Sequence, residues 1–334
     1  MKAVIVLEDG TVFEGQSFGA EGEAAGEVVF NTQIIGYQEI LTDPSYLGKI
    51  VAMGYPHIGN YGINDRLYES DKAQAQALVV KEYSKIVSNW QAKGSLGDFM
   101  KKNGVIGIED IDTRALTIHI RDHGEMRGVV STKSDEVKKL AEKAKAYQPK
   151  SEIRISKSET NSKFEIRNSK LIIDIGVNNS TLAAFKGAQV VPSTTTADKI
   201  LENKVEEVII SSGPGDPRQL TGLVAEVKKL IGQVKLYGIQ NGACVLAQAL
   251  GCSIYKMKVG HHGMNIPVVD PKTGKGEISM QNHSFGIEKL ANGVEAKHVN
   301  LNDKTIEKIA TKDKMCVGTL YFPIDERGKL PRGE

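Results

Sequence analysis

From residue 170 onward the chain alternates short apolar runs with helix-patterned segments, and this alternation restricts the fold more than any other feature of the sequence. "LIIDIG", "AQVVPS", "VEEVIISSG" and "VKLYGI" are the runs; "TADKILEN" and "LTGLVAEVKKLIG" are among the segments between them. Alternating strands and helices predict a parallel sheet covered on both faces, with ligands outside the carboxyl ends of its strands. "SSGPGDP" (211–217) and "LYGIQNGACVLAQALG" (236–251) both fall at such ends. In the first, Gly213 and Gly215 flank Pro214 and would let backbone N–H groups approach a ligand oxygen; a plain turn has the same spelling. The second has the outline of strand, tight turn and helix on which α/β enzymes carry a nucleophile, with Gly238 and Gly242 two residues on either side of the apex. The apex residue is Gln240, which cannot attack a carbonyl.

The first part of the chain follows a different pattern. "KAVIVL" and "TVFEGQSFG" flank Glu8-Asp9-Gly10, a hairpin signal. "GEVVFNT" and "GKIVAMGYP" add strands, and helices follow at 110–122, capped by Asp112 or Thr113, and in "SDEVKKLAEKAKAY". Strands first and helices later predict a compact α+β domain over 1–148. Residues 149–169 are polar, rich in Ser and Lys, and carry the imperfect repeat "EIRISK" and "EIRNSK"; they are expected to be a linker before a second domain at 170–334.

Composition narrows the partners. Of 334 residues, 43 are Lys or Arg and 41 Asp or Glu, a net charge of +2 that argues against nucleic acid or an anionic membrane as the main partner. The start, "MKAVIVLEDG", is too short an apolar run for a signal-peptide core, and no stretch approaches the roughly 18 apolar residues of a membrane span, so the expected location is cytoplasmic. Three cysteines, Cys244, Cys252 and Cys316, suit packing better than a disulfide framework, and they lack paired zinc-ligand spacing; no metal site is expected.

The longer motifs then carry a resemblance. "LEDGTVFEGQSFG", "GEVVFNTQIIGYQEILTDPSY", "IGNYGIN" and "GIEDIDTRALTIHIRDHGEMRGVVS" closely resemble the small, glutamine-handling subunit of carbamoyl-phosphate synthetase. "SSGPGDP", "GHHGMNIPV", "ISMQNHSFGIE" and "HVNLND" resemble its class I glutamine amidotransferase domain. Amidotransferases of anthranilate or guanylate synthesis lack the first of these domains. The resemblance implies an α+β, β/β/α small-subunit domain followed by a flavodoxin-like α/β domain with a mainly parallel sheet. It also implies hydrolysis of L-glutamine through a cysteine thioester. The ammonia is passed to a large subunit that uses ATP, Mg and bicarbonate to make carbamoyl phosphate for pyrimidine and arginine synthesis. No cofactor is implied in this chain itself.

Carried over position by position, Ser45, Gly213, Gly215, Asn282 and Phe285 match glutamine-contacting or oxyanion positions, and Ser284 replaces a usual glycine. The catalytic half departs. Gln240 stands at the cysteine, Asn241 follows it, and Cys244 replaces a substrate-contacting glutamine. In "YFPID", Phe322 stands at the histidine and Ile324 at the glutamate, with Asp325 one residue off register. Cys244 lies four residues past the apex, about 6 Å along a helix, and is expected to point elsewhere. His261, His262 and His283 are expected to be satisfied surface or hydrogen-bonded groups. The chain also stops where the family continues into a further helix. Three readings follow: a subunit of a working complex that leaves its partner to use free ammonia; a noncatalytic module that senses glutamine; and a glutaminase rebuilt around Cys244. Gln240 and Phe322 together argue against the third, because nucleophile and base would both need replacing.

Overall fold

The computed structural model describes residues 1–149 and 165–322. Two compact units emerge: one runs from Met1 to residue 149 and takes in Lys258–His262, and the other comprises residues 165 to Met257 and Gly263 to Phe322. Among the described residues no helix is long and apolar enough to cross a membrane.

Beside a short pairing of His57–Ile58 with Glu82–Tyr83, the first unit is centred on a barrel of seven strands: β1 (Lys2–Leu7), β2 (Val12–Ser17), β3 (Glu23–Asn31), β4 (Lys49–Met53), β5 (Ala77–Val79), β6 (Ile106–Glu109) and β7 (Met126–Ser131). They close into a barrel in the order β1-β2-β6-β5-β4-β3-β7. The Asp-Gly hairpin forms as expected, with Gly10 at φ 94° and Val6 opposite Val12. "KAVIVL" is apolar without alternation because both its faces are covered. Ile5 and Leu7 pack with Ile50, Ile108 and Val130, while Val4 and Val6 pack with Leu140, Ala141 and Ala144.

Four helices accompany the barrel: α1 (Tyr37–Thr42), α2 (Leu96–Asn103), α3 (Thr113–His123) and α4 (Val137–Ala146). Asp112 caps α3 by accepting from the Ala115 N–H at 2.8 Å. The expectation of strands first and helices later is too simple, since α1 and α2 precede β6. Six residues are too few for a periodic signal in α1. In α2 the capping Ser95 and the left-handed Gly104 were available as boundaries.

In the second unit the strands are β8 (Lys170–Asp174), β9 (Gln189–Pro192), β10 (Glu207–Ile210), β11 (Lys235–Ile239), β12 (Ser253–Val269, whose stretch Lys258–His262 counts with the first unit), β13 (Gly276–Lys289), β14 (Val294–Asn300), β15 (Ile306–Thr311) and β16 (Cys316–Thr319). One sheet holds them in the order β9-β8-β10-β11-β16-β15-β13-β12-β14. The strands from β9 to β16 in that order are parallel, as the alternation predicts. Beyond β16 the sheet continues with antiparallel pairings.

The helices are α5 (Asn179–Ala184), α6 (Ala197–Glu202), α7 (Thr221–Leu230) and α8 (Asn241–Ala249). Leu171, Ile173, Val208 and Ile210 face Ile200, Val227, Leu230 and Val245, whereas Ile172 and Ile209, one residue out of step, face Phe185 and Tyr237. Period two on a strand covered from both sides gives these uninterrupted apolar runs.

The stretch expected to be a linker lies mostly outside the described residues. Its last part is held to the second unit: Ile166 is buried in the core there, and Arg167 N donates to Gln189 Oε1 at 2.9 Å.

Candidate functional site

The carboxyl ends of β8, β10, β11 and β16 lie side by side, so the segments that leave them share one edge of the sheet. Asp174 ends β8 and its Oδ1 accepts from the N–H groups of Gly176 and Val177, both at 2.8 Å, which turns the chain sharply. Against that turn lies the glycine loop. A Cβ on Gly213 would stand 1.8 Å from the Ile175 carbonyl oxygen, and one on Gly176 would stand 2.6 Å from Pro214 Cδ. Glycine at 213 is therefore demanded by packing whatever the loop binds.

Gln240 follows β11 at φ 50° and ψ −113°, a conformation that side-chain-bearing residues rarely adopt. Its N–H donates to Thr319 O at 2.7 Å, and its carbonyl accepts from Ala243 N at 2.9 Å and Cys244 N at 3.1 Å. The flanking glycines let strand and helix cross without side chains: a Cβ on Gly242 would meet Ile210 O at 2.2 Å, and one on Gly238 would meet Gly242 O at 2.6 Å. The elbow frame is thus complete. Its apex side chain is 3% exposed, and Gln240 Oε1 is buried with no hydrogen-bond partner among the described residues. Ser212 Oγ, beside the glycine loop, is buried in the same state.

Asn241, next along the chain, does something the sequence reading missed. Its Nδ2 donates to Gly213 O at 2.7 Å and to Gly215 O at 3.2 Å, tying the elbow to the glycine loop. A carboxamide among glycine carbonyls was the available signal, but only the fold brings residue 241 to residues 213–215.

Cys244 is fully buried, packed with Ala243, Ala247, Phe285 and Leu320. Burial pushes its thiol far above the ordinary range, and the negative charges of Glu307 and Asp216 push it the same way. A thiolate nucleophile is not available there. Cys252 and Cys316 are buried as well, Cys316 raised to about 11 by burial and then by Asp313.

Phe285 shares the Cys244 cluster, and the Arg218 guanidinium lies 5.3 Å from its ring centroid. Arg218 is in turn held by Asp216, with Nη2 donating to Oδ2 at 2.6 Å. Ser284 is buried and Asn282 half-buried on β13.

Phe322, two residues beyond Leu320 at the end of β16, is 1% exposed, and its N–H donates to Met280 O at 2.8 Å. Ile324 and Asp325 lie outside the described residues. His283 takes the hydrogen-bonded of the two expected states, and takes it in the interior: Nδ1 faces Phe285 O at 2.8 Å, and Nε2 faces Gln281 Oε1 at 3.2 Å and Glu307 Oε2 at 3.3 Å. With both ring nitrogens engaged inside the core, it has neither turned toward a substrate.

Three of the expected residues belong to the first unit. Ser45 sits in the turn Pro44–Tyr46, where its hydroxyl donates to Asp43 and its N–H donates to Asp43 Oδ1 at 2.9 Å. His262 is buried, its Nε2 3.3 Å from Glu125 Oε1. Burial alone would raise the Glu125 carboxyl, but the His262 hydrogen bond, the charge of Lys49 and the Gly260 N–H carry it down to about 2. His261 is half-buried on the same short segment.

Comparison with known proteins covers both units. Residues 5–130 match the carbamoyl-phosphate synthase small chain, CPSase domain, and residues 171–323 match glutamine amidotransferase class-I. The chain is 42% identical over 350 residues to the carbamoyl phosphate synthase small chain of Solidesulfovibrio magneticus, covering 97% of this chain and 93% of the relative. The carbamoyl phosphate synthase small chain of Aquifex aeolicus is 42% identical over 351 residues, covering 98% and 94%. That of Akkermansia muciniphila is 40% identical over 343 residues, covering 97% and 92%. With matches of this identity over nearly its whole length and over both domains, the chain belongs to the carbamoyl-phosphate synthase small-chain family.

Proposed function

We propose that this chain is a noncatalytic small subunit of a carbamoyl-phosphate synthase: it binds the large subunit, hydrolyses no glutamine, and leaves that partner to work on free ammonia. The large subunit would hold ATP and Mg and join ammonia with bicarbonate to carbamoyl phosphate, for pyrimidine and arginine synthesis in the cytoplasm. The observation that carries the reading is the elbow. Gln240 takes up the strained conformation of a nucleophile apex but offers a carboxamide, which has no acidic proton and no usable lone pair for acyl transfer.

The surroundings support it from three sides. Phe322, at the position where the family carries its histidine, supplies no base. His283 has both ring nitrogens engaged, and Cys244 is sealed in the core. Loss of a cooperating nucleophile costs about 10⁶ in rate in a well-studied hydrolase, or roughly 8 kcal/mol of barrier.

Glutamate release from glutamine tests this, with the purified chain alone and with a large synthase subunit. No release is expected from the unmodified chain, and none from Gln240→Cys alone, because Phe322 leaves the restored thiol without a proton acceptor. Ammonia-driven carbamoyl phosphate synthesis by the complex should proceed. Glutamate release by the unmodified chain above a heat-denatured blank would overturn the reading.

A further inference from the structure

A subunit that cannot hydrolyse glutamine could still bind it and report its presence. The geometry of the apex bears on that question. In covalent acyl transfer at an elbow, the substrate's acyl carbon becomes bonded to the second side-chain atom of the apex residue. Reading outward from the backbone, the intermediate on a cysteine runs Cβ, Sγ, then an acyl carbon bearing an oxygen. Gln240 runs Cβ, Cγ, then Cδ bearing Oε1 and Nε2. The two sequences of atoms have the same connectivity and nearly the same reach. A glutamine side chain at the apex therefore carries its own acyl-like group into the volume where a substrate's acyl group would have to come.

The burial pattern agrees. Gln240 is 3% exposed, Asn241 8%, Ser212 0% and Phe322 1%, so the apex, the residue after it, the start of the glycine loop and the aromatic at the end of β16 are all closed to solvent. Asn241 adds a second closure by holding the carbonyls of Gly213 and Gly215 against the elbow. Gln240 Oε1 accepts no hydrogen bond among the described residues, so no donor holds the carboxamide oxygen in place.

We propose that Gln240 closes this relic site to free glutamine by filling the acyl subsite from within, so that the subunit is blind to glutamine and does not merely fail to cleave it. The inference rests on reading residues 236–251 as an amidotransferase elbow, and the site is then a self-occupied one rather than a sensor.

The experiment is calorimetric titration of L-glutamine into the full chain and into Gln240→Gly. Glycine removes the side chain and suits φ 50°, so the variant should fold. The unmodified chain should show no saturable heat at millimolar glutamine, and the variant should gain saturable binding, tighter by on the order of tenfold or more. Gln240→Ala, which keeps a Cβ and removes Cγ with the carboxamide, should gain binding too and serves if the glycine variant is unstable. Equal binding by the unmodified chain and the variants would overturn the proposal, and so would absence of binding by all three, since Gln240 would then not be what closes the site. Glutamate release, read in parallel, separates this from the proposed function: binding without release by the unmodified chain defeats only the closure, whereas release defeats the noncatalytic reading.

Discussion

Replacing Gln240 by glycine should make the protein more stable, an uncommon direction for removing a 3% exposed side chain. Two costs of the native residue disappear. Backbone strain at φ 50° and ψ −113° in a residue with a Cβ is worth about 1–3 kcal/mol. A buried carbonyl oxygen without a donor costs about 1–3 kcal/mol more. Against these stand two losses. Glycine has about 0.5–1 kcal/mol more backbone entropy to give up on folding, and the two buried methylenes of glutamine contribute about 0.8 kcal/mol each. Taking the middle of each range leaves the variant ahead by about 1–2 kcal/mol. For a unit of this size that is a rise of about 3–6 °C in melting temperature. Urea denaturation and scanning calorimetry of the two proteins would read it. Gln240→Ala separates the contributions, because it removes Cγ and the carboxamide and keeps the strain; with the glycine entropy and the Cβ it gives up, the glycine variant should exceed it by about 0.5 kcal/mol. A glycine variant no more stable than the alanine variant would refute the claim that the apex is strained. A drop below the native protein would show that the carboxamide is satisfied and packed better than its orphaned oxygen indicates.

Asn241→Leu should destabilise the second unit by about 1–3 kcal/mol, since it leaves the carbonyls of Gly213 and Gly215 without the Nδ2 donor they share; an unchanged urea midpoint would show that water replaces the amide freely. In the first unit, Glu125 is held at about 2 against an ordinary 4.5. Its folded value lies below its unfolded one, so its contribution is fully present above pH 4.5 and fades as the pH falls toward 2, by about 3 kcal/mol in all. Glu125→Gln should flatten the acid limb of the stability curve in that window, and a curve of unchanged slope would assign acid unfolding to other carboxylates.

The alternation of apolar runs and helical segments was enough to place the parallel strands β8 to β11, because strands covered on both faces spell themselves as unbroken apolar runs. The same reasoning was silent on β12 and β13. Their burial is interrupted along the strand, and residues such as Lys256 and Lys258 break the pattern that a period-two reading needs. The elbow was legible for a similar reason: Gly238 and Gly242 sit where a strand and a helix cross too closely for a Cβ, and that spacing is local in sequence. What could not be read was the tie from Asn241 to the glycine loop, a contact across 28 residues set by the pairing of β10 with β11. Nor could the sequence place His283 in the interior beside Glu307; a lone histidine between polar residues has the same spelling on a surface.

These glycines also bear on what a retained elbow means. Gly213, Gly238 and Gly242 are each fixed by backbone atoms within 3 Å of where a Cβ would stand, and all of those atoms belong to the scaffold. Folding alone would demand them, because no Cβ fits at these positions without moving backbone. A complete frame is therefore no sign of catalysis in this fold. At the apex the packing accepts a glutamine at the cost of an orphaned oxygen, and after β16 it accepts a phenylalanine. In this chain both positions are occupied by side chains that bury themselves, and the frame persists because the sheet requires it.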